Sequence, residues 1–240
     1  MTAQFSRDSI NAVPDRAGHR PRLQAEMSEP LAARMESISR RFLGRPYVTN
    51  PLIGSAESPE IFTDAISGFD CVTYIETVLA RALSRNKAES SSILRQIRYQ
   101  NGVVDWKRRN HYMTVWIRNN QRNGLVRQLR FGNASIRLDR RLNMVPGVPS
   151  RRCAFSCVPK RSFSRVDSQI QTGDLIFFAS TRPHLDVFHC GLLVRSGDRL
   201  RLRHASRSQS GVVEQDLSQF LKANRMSGIL LVRPLERIPH

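Results

Sequence analysis

The chain has 240 residues, 40% hydrophobic and 24% charged, with 13 Gly and 12 Pro, a make-up that excludes fibrous and low-complexity classes and fits a globular protein with one sizeable core. Its 38 Lys and Arg against 20 Asp and Glu give a net charge of +18, half of which falls in residues 121–170, so polyanionic surroundings are implied. Four cysteines are too few for a disulfide scaffold, and no apolar run is long enough for a bilayer span or a signal-peptide core.

Residues 1–27 mix Arg, Asp, Pro, Gly and Ser without periodicity and read as a mobile arm before a single domain, 28–240. Ser28-Glu29-Pro30 then opens a helix with Leu31, Met35, Ile38 and Phe42 on one stripe and Gly44 as its stop. After a loop holding Arg45-Pro46-Tyr47, Gly68-Phe69-Asp70-Cys71 leads into Val72, Ile75, Leu79 and Leu83, a second helix with Cys71 at its start and Asp70 as its cap. Residues 86–130 read as helix and loop, with Trp106, His111, Tyr112, Val115 and Trp116 as packing or cleft groups. The Arg-rich excursion that follows, to residue 170, shows no pattern that assigns an element. Beyond it Asp174–Phe178, Val187–Arg195, Leu200–Ala205 and Ile229–Arg233 read as strands of a small antiparallel sheet. Helices first and sheet second predict an α+β domain.

A thiol at a helix N-terminus has unpaired N–H groups and the positive end of the dipole beside it, which lowers its pKa; it also needs a base within reach. Cys71 has the first. For the second, Ser196-Gly197-Asp198-Arg199 is a hairpin signal, and a loop of two or four residues puts His189 and His204 on one face, opposite or one diagonal step apart. Nucleophile, base and orienting group are thus all present. Cys190, one step from His189, points to the other sheet face and reads as core.

Phe69-Asp70-Cys71-Val72-Thr73-Tyr74, Leu43-Gly44-Arg45-Pro46-Tyr47, Gly173-Asp174-Leu175-Ile176, Leu185-Asp186-Val187-Phe188-His189-Cys190-Gly191 and Leu202-Arg203-His204-Ala205-Ser206 resemble the successive motifs of the NlpC/P60 cell-wall cysteine peptidases. More closely they resemble the DUF1460, N-acetylmuramoyl-L-alanine amidase-like branch. The resemblance implies a papain-like α+β fold with Cys71 as nucleophile, His189 as general base and His204 as the residue that orients it. It places Tyr47 at the oxyanion site beside the Cys71 N–H, with Asp70 next to it. His111 and Tyr112 lie in a stretch similar to the one that closes the cleft, and become candidate substrate contacts.

The implied substrate is an amide in peptidoglycan or a muropeptide, first the N-acetylmuramoyl to L-Ala bond, second the D-Glu to diamino-acid bond. An acyltransferase or cyclase on the same scaffold is an alternative. No cofactor is implied. Cys153, Cys157, His184 and Cys190 make a poor zinc set, since C-x3-C lacks a matching second pair. A nucleic-acid-binding protein would exploit the charge, but no binding motif is present; an anionic polymer or membrane surface held by the Arg-rich region is the other possible partner. Without a leader, a cytoplasmic location or export by a non-Sec route is expected.

Overall fold

A computed structural model describes residues 29–236, so the expected arm and the cap residue Ser28 lie outside the described residues. Helix α1 is Leu31–Arg40, entered from Pro30, whose φ of −55° and ψ of 145° make it the residue just before the helix. It buries Leu31, Arg34 and Met35. Helix α2, Cys71–Ala82, begins where the sequence predicts, and Asp70 and Thr73 form a reciprocal capping box. Helices α3, Lys87–Arg98, and α4, Met113–Arg122, complete a helical layer. Tyr74, Ile75, Val78, Leu79, Ala80 and Ala82 of α2 are fully buried, because α2 packs against α1, α3 and the sheet together.

Strands β1 (Val126–Gln128), β4 (Leu175–Ala179), β5 (Val187–Ser196), β6 (Arg199–Ser206), β7 (Gly211–Asp216) and β8 (Gly228–Pro234) form one antiparallel sheet in the order β1-β8-β4-β5-β6-β7. The four expected strands are there; β1, β7 and the short helix α5, Leu217–Ala223, are additions. Leu175, Phe177, Leu192 and Leu230 face the helical layer, while Ile176, Phe178, Leu193 and Leu231 face α5 and the 160–170 segment. A sheet covered on both faces explains why Leu-Ile-Phe-Phe-Ala of β4 is a continuous apolar run without alternation.

The Arg-rich excursion contains a separate hairpin, β2 (Ile136–Leu142) with β3 (Arg151–Cys157), in which Cys153, Phe155 and Cys157 turn inward and the residues between them outward. Both cysteines are free thiols. Several of its arginines have partners of their own. Arg140 reaches the Ser180 carbonyl and Ser227, Arg141 reaches Ser150, and Arg152 pairs with Asp139.

Candidate active site

The start of α2 touches β5 twice. The Cys190 Sγ donates to the Cys71 carbonyl at 3.3 Å, and the half-buried Cys71 thiol lies beside the Cys190 thiol and the His189 imidazole, both of which favour its charged form. Those two contacts, Cys190 first, hold the Cys71 pKa well below the ordinary thiol value against the opposing effect of burial. Cys190 moves the other way, raised by burial and by its neighbour Cys71. One thiol is therefore set to ionise and the other to stay protonated.

His189 Nε2 lies 2.6 Å from His204 Nδ1, leaving His189 Nδ1 for Cys71. The β5–β6 register pairs Leu192 with Arg203 and Ser196 with Arg199, so the hairpin loop has two residues and His204 falls opposite Gly191, one diagonal step from His189. A Cβ on Gly191 would sit 2.9 Å from the Arg203 carbonyl oxygen and 3.0 Å from the His204 Cβ, so glycine is what lets the imidazole cross. Phe220 of α5 packs against both rings, and Phe178 stacks on His189. Burial, then the charge of His189, pushes the His204 pKa down to about 3, which keeps this ring neutral. Its Nε2 lies 2.8 Å from the Gln215 side-chain amide, a third member in the chain across β5, β6 and β7.

Tyr47 arrives by a different route. Its N–H donates to the Ser210 carbonyl at 2.9 Å, and Phe69 makes a short parallel bridge with the 46–48 backbone, which brings the ring beside Cys71. Burial, then negative charge on Cys71 and on Asp70, raises the phenol pKa, so its O–H remains a donor. Asp70 accepts from Thr73 N at 2.7 Å and from Thr73 Oγ1 at 2.8 Å; its carboxyl is committed to the cap. Burial and the neighbouring Cys71 lift its pKa to about 6.

The two candidate substrate contacts are engaged elsewhere. Tyr112 is 2% exposed and its oxygen accepts the Met144 and Val145 N–H groups, so the ring supports that backbone turn instead of facing a cleft. The His111 ring lies 4.3 Å from the Trp106 ring, and its Nε2 is 2.7 Å from the Trp106 carbonyl; burial lowers its pKa. Asp186 anchors the start of β5, accepting from Thr114 N and Oγ1 at 2.7 Å each. Gln215 and the contact of Cys190 with Cys71 escape a sequence reading, because neither β7 nor the stacking of α2 on β5 has a local signal. Among the described residues no three His, Cys, Asp or Glu side chains cluster as metal ligands, and no helix is long and apolar enough to cross a membrane.

The family described as AmiA-like, N-acetylmuramoyl-L-alanine amidase-like, matches residues 37–229, which span every group just described. The chain belongs to this amidase-like family. A crystallised N-acetylmuramoyl-L-alanine amidase from Bacteroides uniformis is 26% identical, with a TM-score of 0.76 over 86% of this chain and 99% of its own. A Legionella pneumophila protein of the DUF1460 family shares the fold at 21% identity, with a TM-score of 0.77 over 93% of this chain and 95% of its own. No curated protein matches. The amidase-like chain is thus similar to its crystallised neighbours over nearly all of their length, with the Cys71, His189 and His204 side chains in one contact group.

Proposed function

We propose that the chain is a cysteine amidase of NlpC/P60 type, papain-like in arrangement, which hydrolyses the amide between the N-acetylmuramoyl lactyl group and L-Ala in peptidoglycan or muropeptides. The observation that carries this reading is the contact chain from the Cys71 thiol through His189 to His204, within a family described as amidase-like. The Cys71 proton passes to His189 Nδ1. His189 keeps the proton it already carries on Nε2 and donates it in a hydrogen bond to the neutral His204 Nδ1, whose own proton then sits on Nε2. Gln215 Nε2 is the atom that lies 2.8 Å from His204 Nε2, so this tautomer needs the amide turned over, with its oxygen accepting from His204.

The thiolate attacks the amide carbonyl carbon, forming the C–S bond. The negative oxygen is met by the Cys71 N–H, free of an intrahelical partner in the first turn of α2, and by the Tyr47 hydroxyl. His189 returns its proton to the nitrogen as the C–N bond breaks, releasing the amine. It then deprotonates the water that cleaves the thioester.

Mass spectrometry of defined muropeptides after incubation tests the reading. Expected is the loss of the whole stem peptide from the lactyl group, with none in Cys71→Ala. Undiminished turnover by Cys71→Ala would overturn the cysteine mechanism, and a product that keeps L-Ala on the muramic acid would overturn the bond assignment.

A further inference from the structure

A cavity of about 630 Å³ opens between α4, the connection from β1 to β2, strand β3 and the edge of β8. None of Cys71, His189, His204 or Tyr47 lines it. Arg118 and Arg122 from α4, Arg130 from the connection and Arg137 from β2 do. All four are exposed, and among the described residues none has a hydrogen bond, ion pair or ring contact with another group. No Asp or Glu is in the lining. Arg118 and Arg122 are one helical turn apart, where like charges repel each other. Buried arginines of this fold sit against carboxylates, as Arg98 against Glu76 and Arg203 against Glu214; around this hollow four cations share a wall with no counter-charge.

The walls are fixed. Val158 and Ile229 exchange two backbone hydrogen bonds of 2.8 Å, locking the end of β3 to β8. Gly228 makes that approach possible, since a Cβ there would stand 2.3 Å from the Cys157 Sγ. Gln128 Nε2 donates to the Ser156 carbonyl at 3.2 Å, and Cys153 Sγ donates to Thr114 Oγ1 at 3.4 Å, tying β1 and α4 to the same hairpin. Between those ties Ile117, Phe155 and Leu230 add an apolar patch to a lining that is mostly polar. The volume is within the range of roughly 300–1,000 Å³ found for small-molecule sites.

We propose that this cavity binds a compact organic anion carrying two or more phosphoryl or carboxyl groups, in a site separate from the Cys71 cleft. Guanidinium forks match both kinds of oxyanion, four of them call for more than one negative charge, and the apolar patch takes the organic body. The hollow is partly open, and its volume suits a small molecule better than a polymer or a bilayer. This inference does not depend on the amidase reading.

Titration calorimetry on the full chain at physiological ionic strength tests it, with inorganic pyrophosphate and citrate as probes for the two chemistries. Arg118→Gln with Arg130→Gln is compared with Arg108→Gln with Arg199→Gln, two exposed arginines outside the lining. The expected result is one-to-one binding of at least one probe, weakened about tenfold or more by the cavity pair and less than about twofold by the control pair. Equal weakening by both pairs would reduce the effect to net charge and overturn the site. So would failure of both probes to bind, including the case where the protein retains only duplex DNA or anionic vesicles.

Discussion

His189 and His204 meet at 2.6 Å although they are not opposite each other in the β5–β6 ladder. The residue opposite His204 is Gly191, and the two imidazoles meet diagonally past its missing side chain. Two neutral or singly charged rings so placed form a directed hydrogen bond, and the buried His204, with its pKa pushed down to about 3, cannot compete for the proton that His189 gains. The strand register thus brings the two rings together, and burial of His204 makes them unequal.

Gly191→Ala tests that dependence. The added methyl has the Arg203 carbonyl oxygen 2.9 Å away, so backbone and His204 must shift together. Amide hydrolysis should fall by about 10²-fold, the scale of an angstrom-level misplacement, with binding of substrate little changed. Steady-state kinetics on a defined muropeptide will read this as a loss in kcat with KM retained.

Thiol reactivity provides a readout independent of substrate. The alkylation rate of Cys71 by iodoacetamide should inflect well below pH 9, because its neighbours hold the thiolate form. In His189→Ala the inflection should move up toward the ordinary thiol range. A strong chelator should leave both alkylation and hydrolysis unchanged, whereas full alkylation should abolish hydrolysis.

Asp70 gives stability a pH dependence of its own. Its folded-state pKa, about 6, lies above the reference value of 3.8, so the folded protein holds the extra proton more tightly. That contribution is fully present below about pH 4 and is lost as pH rises through 6, on the order of 3 kcal/mol. Asp70→Asn keeps a good cap residue and should flatten the slope in this window, measured by urea unfolding at successive pH values.

The buried pair Glu76 and Arg98 predicts a different cost. Arg98 Nε donates to Glu76 Oε2 at 2.7 Å and its Nη1 to the Thr63 carbonyl at 2.7 Å, while Trp116 Nε1 donates to Glu76 Oε1 at 3.1 Å. Glu76→Ala leaves a buried cation unpaired, and chemical denaturation should show a loss of about 3–5 kcal/mol. Glu76→Gln, which keeps an acceptor, should lose less.

Cys71 at a helix start and His189 facing His204 were legible in the sequence, because both follow from short-range rules: a cap followed by a 3.6-residue stripe, and a two-residue turn that fixes which positions share a face. The β2–β3 hairpin was not, since its outward positions are largely arginines whose charge dilutes the alternation of Cys153, Phe155 and Cys157. Strand β7 was missed for a related reason. Gly211-Val212-Val213-Glu214-Gln215-Asp216 has only two apolar residues, and Glu214 is drawn inward by Arg203. With β7 went Gln215. For Tyr112 the sequence leaves packing and cleft readings open, because a tyrosine beside a histidine has no sequence mark to separate a wet ring from one that caps a buried turn with its oxygen.

The order in which the strands join the sheet has a consequence for when the site can exist. The contact of Cys190 with Cys71 links positions 119 residues apart, and β8, which follows every residue of the candidate site in the chain, fills the place between β1 and β4. Such long-range closure is slow to nucleate and cannot be completed before β8 has been made. A nascent chain lacking β8 carries Cys71, His189 and His204 in an unfinished sheet, so their environment is complete only once that strand has emerged and inserted between its neighbours.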